Sequence, residues 1–97
     1  MADFPPIHPG EVLQKDFLTP LGLRKSALAK ALGIPQARIS EIIHGKRAIT
    51  PDTALRLSRY FATSAEFLLG MQSTHDLELA RDRHGPEIMA KVSPRAA

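Results

Sequence analysis

"GIPQARISEIIHGKRAIT", residues 33–50, combines two chemistries in one short segment. At about 100° per residue, Ile39, Ile42 and Ile43 share one side of a helical wheel, within a sector of about 100°. Ala37, Ser40, Glu41 and His44 occupy the opposite side, with Gln36 and Arg38 at its edges. A helix that only filled a core would have little use for that polar side, so something outside the protein is expected to meet it. Pro35 suits the first turn of this helix, and Gly45 ends it just before Lys46 and Arg47.

Immediately upstream, "RKSALAKALG" places Leu28, Ala29 and Leu32 on one helical face and stops at Gly33, a natural residue beyond a helix end. Only Gly33, Ile34 and Pro35 separate the two helices, which forces a sharp crossing instead of an antiparallel hairpin. That is the geometry of a helix-turn-helix. The spacing of Ala29, Gly33, Ile39 and Ile42 agrees with it. A small residue allows the helices to approach, a glycine can take positive φ in the turn, and two isoleucines pin the second helix to the body.

Charge is concentrated in the same region. The 97-residue chain carries a net charge of +3. Residues 24–47 hold Arg24, Lys25, Lys30, Arg38, Lys46 and Arg47 against Glu41 alone, whereas residues 1–23 are net acidic and residues 48–97 balance. A basic block of this kind suits a polyanion; its alternative is an ordinary solvated cationic face. If the partner is duplex DNA, the exposed side of the second helix can read a major groove. Gln36 can pair with adenine, Arg38 with guanine, Ala37 can touch a thymine methyl, and Ser40 lies on the same face. Glu41 either accepts from cytosine or pairs with Arg38 along the helix. Arg24 and Lys25 at one end, and His44, Lys46 and Arg47 at the other, are placed for phosphates.

Around this pair the pattern predicts an all-α fold. A first helix spans about Pro9 to Leu18 and stops before Pro20. A fourth is capped by Thr50 and started by Pro51, with Ala54, Leu55, Ser58 and Phe61 inward. Thr63 or Ser64 caps a fifth, and Thr63 with Glu66 would make a capping box. "THDLELARDR" either continues that helix or begins a sixth, with its end at Gly85-Pro86. The expected organisation is an N-terminal arm over residues 1–8, a helix-turn-helix domain over 9–70, a helical segment over 71–84 and a partly mobile tail over 85–97. Met71, Leu77 and Leu79 either complete the core or face a second subunit.

The residues "HPGEVL" (8–13), "PLGL" (20–23), "LAKALGIPQARISEIIHGKRAITPDTALRLSRYF" (28–61) and "TSAEFLLGMQSTHDLELAR" (63–81) resemble the XRE, or Cro/repressor-type, helix-turn-helix family. More narrowly they resemble its HigA antitoxins. The resemblance implies a compact five-helix Cro/repressor-like domain, with an extended or additional C-terminal helix. It also implies a homodimer that binds a palindromic operator in its own promoter and neutralises a HigB-like toxin, a RelE-like ribosome-dependent mRNA endoribonuclease. Three positions depart from the family pattern: Arg24 and Pro35 stand where a capping Ser or Thr is common, and Gly70 where many relatives have Asn.

Other classes find little support. His8, His44, His75 and His84 lack paired metal-ligand spacing, and neither a phosphate-binding G-x-x-x-x-G-K-[ST] loop nor a nucleophile elbow occurs, so neither enzyme nor cofactor is expected. No apolar run approaches the roughly 18 residues of a membrane span, and "MADFPPIHPGEV" has no apolar stretch of signal-peptide length, so no export is expected. With no cysteine, a reducing compartment fits, and cytoplasm is the expected location. The alternatives are a stand-alone XRE repressor of phage or restriction-modification-controller type, and an interaction module that has lost DNA binding.

Overall fold

The computed structural model describes residues 6–96; residues 1–5 of the expected arm and Ala97 lie outside them. Five helices and no strands are present among the described residues. Helix α1 is composite: an α-helical turn Pro9–Val12, a π-helical stretch Leu13–Leu18 and a last turn Thr19–Leu21. It therefore does not stop before Pro20. Proline clashes with the carbonyl four residues back and lacks an N–H. The wider π turn, in which the Thr19 N–H reaches back to the Gln14 carbonyl, gives the ring room and carries the helix past it.

Helices α2 (Lys25–Leu32) and α3 (Gln36–Ile43) form the helix-turn-helix, followed by α4 (Pro51–Phe61) and α5 (Ala65–Lys91). Pro35 is the N-cap of α3, one residue earlier than expected. The turn between α2 and α3 depends on Gly33, at φ 70° and ψ 34°. Its amide donates to the Lys30 carbonyl and that of Ile34 to the Ala29 carbonyl, at 3.3 and 3.1 Å, satisfying carbonyls the helix leaves open. Arg56 of α4 adds a 2.8 Å hydrogen bond to the Leu32 carbonyl, tying α4 to the same turn.

The core is built from α1 to α4 and the first turns of α5. Leu18, Leu28, Ile39, Ile42 and Leu57 are fully enclosed, with Ala29 and Ala54 where helices approach closely. On α4 the inward residues are Thr53, Ala54 and Leu57, with Ser58 and Phe61 half-buried. Leu55, expected inside, is 63% exposed. A single helical pattern cannot choose between adjacent faces; the neighbours α2 and α5 do. Thr50 caps α4 through the Thr53 amide. Ser64, not Thr63, caps α5, its Oγ accepting from the Phe67 amide at 2.9 Å, so Glu66 closes no capping box.

One contact is tighter than any side chain would permit. Gly10 is buried against the far end of α3, and a Cβ there would overlap the Ile42 carbonyl oxygen and lie 2.9 Å from the Ile43 Cα. Helix α1 can sit on α3 only because residue 10 has no side chain.

Helix α5 continues without a break through Gly70, Gly85 and Pro86 to Lys91, correcting the expected end at Gly85-Pro86. The residue before a proline normally resists helical geometry because its Cβ meets the ring, and Gly85 has none. A Lys91–Glu87 pair at 2.8 Å supports the last turn. The last buried residue among those described is Gln72. Its Oε1 accepts from the Ile49 amide at 2.8 Å, and its Nε2 donates to Asp76 at 3.0 Å, which fastens the α3–α4 loop to α5. Beyond it the helix projects from the body, giving the molecule extents of 53 × 28 × 20 Å.

Candidate nucleic-acid interface

The residues singled out on α3 fall where the wheel puts them. With Ile39 and Ile42 fully buried beneath, Gln36 and Ala37 stand exposed on the first turn, and Arg38, Ser40 and Glu41 are half-buried along the outer side. His44 is exposed at the end, its Nδ1–H donating to the Ser40 carbonyl at 2.7 Å. Lys46 and Arg47 are exposed in the loop beyond.

Glu41 does not pair with Arg38. Its Oε1 accepts from Arg47 Nε at 3.1 Å, because the reversal at Gly45 (φ 73°) brings the loop back over the last turn of the helix. Both groups are nearly half exposed, so the pair contributes at most about 1 kcal/mol. Its effect is orientation: the Nε edge of the Arg47 guanidinium is held against Glu41.

Arg24 and Lys25 meet Gln36 across a groove of about 400 Å³, lined also by Gln14 and Ser26. Here both helices of the motif begin. Neither Arg24 before α2 nor Pro35 before α3 provides a side-chain cap; the Arg38 amide turns back to the Pro35 carbonyl at 3.1 Å, and the amides ahead of it in α3, with those that open α2, carry the positive end of each helix. Sequence reading passed over Gln14 and Ser26. Ser26 sits in the first turn of α2, beside two cations, which was the available signal. Gln14 comes from α1 and donates to the Thr19 hydroxyl at 3.0 Å, a placement that no local pattern encodes.

The three residues proposed for subunit contact separate. Met71 is half-buried against the core, Leu79 is half-buried, and Leu77 is 51% exposed. Among the described residues, no group of three or more His, Cys, Asp and Glu is arranged to hold a metal, and no helix is long and apolar enough to cross a membrane.

A helix-turn-helix family model matches residues 14–68, more than half of the chain. The chain belongs to the XRE-type helix-turn-helix family. This is a family of DNA-binding regulators and antitoxins, not of enzymes. Virulence-associated protein I of Dichelobacter nodosus is 46% identical over 97% of this chain and 88% of its own. The antitoxin HigA of Pseudomonas aeruginosa, solved with the higBA promoter, superposes with a TM-score of 0.91 at 38% identity, covering 94% of this chain and 99% of that one. The antitoxin GraA in complex with its operator gives 0.92 at 37% identity, over 100% and 98%. HigA-family antitoxins are thus among the structures this XRE-type chain resembles over nearly its whole length.

Proposed function

We propose that the chain is the antitoxin of a HigBA-like type II toxin–antitoxin module. As a homodimer it binds a palindromic operator in its own promoter, and in the cytoplasm it neutralises a RelE-like mRNA endoribonuclease. The observation that carries the DNA reading is the convergence of two uncapped helix N-termini with Arg24, Lys25 and Gln36 on one groove. Free amides at a helix start and flanking cations are what phosphate oxygens need, and they fix the register from which α3 reads bases. Gln36, Ala37 and Arg38, foremost on α3, take the base edges, with Ser40 behind them. Glu41 serves through Arg47, which it turns toward a phosphate, and His44 and Lys46 flank the same backbone.

A second subunit is required because one recognition helix reads only a few base pairs, and two-fold pairing gives half-sites about 34 Å apart. The projecting part of α5, with Leu77 and Leu79, is the surface available for it. The toxin is expected to be basic, so the cationic face that meets DNA would repel it. A second groove of about 780 Å³, between Ile7, Pro9 and Val12 on one wall and Phe67 and Met71 on the other, shares no residue with the first and has Glu78 on its rim. We place the toxin there, alongside the acidic Glu11 of α1.

The deciding measurement is an electrophoretic shift with the chain's own upstream DNA. A shift at nanomolar protein that random DNA of equal length competes poorly supports the reading; equal binding to both overturns it. Coexpression with the neighbouring toxin gene tests the other half. The double variant Gln36→Ala, Arg38→Ala should lose repression yet still rescue growth. Loss of both by a folded variant would place the two partners on one surface.

A further inference from the structure

His8 occupies a junction of three segments. It is the N-cap of α1, with Nδ1 accepting from the Gly10 amide at 2.9 Å. Its ring lies against Gly45 in the α3–α4 loop, where an added Cβ would meet the His8 Cγ at 3.7 Å. On the third side, the His75 ring of α5 approaches edge-on at 4.8 Å between centroids. Two residues further along, Gly10 touches the end of the recognition helix.

We propose that this junction is a pH-sensitive latch: protonating His8 releases the start of α1 and the α3–α4 loop from each other, loosening the seat of the recognition helix. An imidazole can accept at Nδ1 only when that nitrogen carries no proton. The imidazolium would turn a donor toward the Gly10 N–H and place a cation at a helix N-terminus, where the dipole opposes it. The surroundings offer little compensation. From α5, His75 and Asp76 face the ring, but Asp76 is already shared between His75 Nδ1, at 3.1 Å, and Gln72. From α1, Glu11 is engaged by Lys15 at 2.7 Å. The α3–α4 loop offers the backbone of Gly45, flanked by His44, turned toward Ser40, and by Lys46.

Burial first, and His75 second, hold the His8 imidazole below its ordinary value, with Asp76 pulling the other way. The unfolded chain therefore binds this proton more readily than the folded one. The stability contributed by neutral His8 is complete above about pH 6.5 and is lost as pH falls through the lower folded value.

His8→Asn keeps a capping oxygen but cannot titrate. Between about pH 7.5 and about pH 5.5 the native chain should lose on the order of 5 °C in melting temperature, and His8→Asn well under half of that. In the native chain, exchange protection of the Gly10, Gly45 and Lys46 amides should fall together as the His8 ring protons titrate. His75→Gln should move that titration to higher pH. An equal loss of melting temperature in His8→Asn would overturn the latch. So would Gly10 and Gly45 amides that stay protected while His8 titrates, a readout that stands even if the variant folds poorly.

Discussion

Gly10 and Gly33 show two different reasons for a missing side chain. At Gly33 the backbone is left-handed, and the nearest atom to an added Cβ, Arg56 Nη1, is 3.5 Å away, so the constraint is conformational. Gly33→Val should destabilise by about 1–3 kcal/mol, read as a lower urea midpoint with an unchanged slope. An unchanged midpoint would mean that the turn relaxes. At Gly10 the constraint is space, and the obstructing atoms are backbone, which cannot rotate away. Gly10→Ala should therefore cost about 1–3 kcal/mol or more even though alanine favours a helix. A variant as stable as the native chain would show that α1 can lift from α3 freely. Gly33 was legible from its place between two helical patterns. Gly10 was read only as part of a helix start, because nothing in residues 9–18 says what lies across from them.

Local chemistry was also what made the elements readable. The Thr50-Pro51 start of α4 and the Gly33 end of α2 are written in adjacent residues, and both stand as read. The misreadings share a cause. Pro20 and Pro86 were taken as stops on local grounds, yet a π turn and a preceding glycine let the helices pass. Leu55 and Leu57 exchange places because burial on α4 is decided by α2 and α5. On the outer side of α3, the positions of Gln36, Ala37 and Arg38 followed from the isoleucines by elimination. The partner of Glu41 did not, since Arg47 lies beyond the helix where no wheel reaches. Gln72 gave one weak sign, an amide four residues after Leu68 on the core face. For α5, Pro86→Ala should strengthen exchange protection over residues 87–91, as proline disfavours a helix by about 3 kcal/mol relative to alanine. The global urea midpoint should stay put, because among the described residues none beyond Gln72 is buried. A higher midpoint would reveal that the projecting turns belong to the cooperative unit.

As a whole, the molecule separates its charges and its greasy surfaces. Arg38→Ala should weaken operator binding by about 1–3 kcal/mol and relax preference at one base step. Lys46→Ala should weaken all sequences alike and lower the salt slope by about one. Equal losses on operator and random DNA for Arg38→Ala would remove it from base reading. Leu77→Glu should yield a monomer by light scattering at micromolar concentration, and a persistent dimer would move the subunit contact off α5. The groove beside Ile7 is walled by Pro9 and Val12 of the first turn of α1, and in that same turn Gly10 rests directly on the carbonyl of Ile42. A partner gripping that groove would hold α3 by its heel, so each tug on the first turn of α1 would bear on the C-terminal end of that helix.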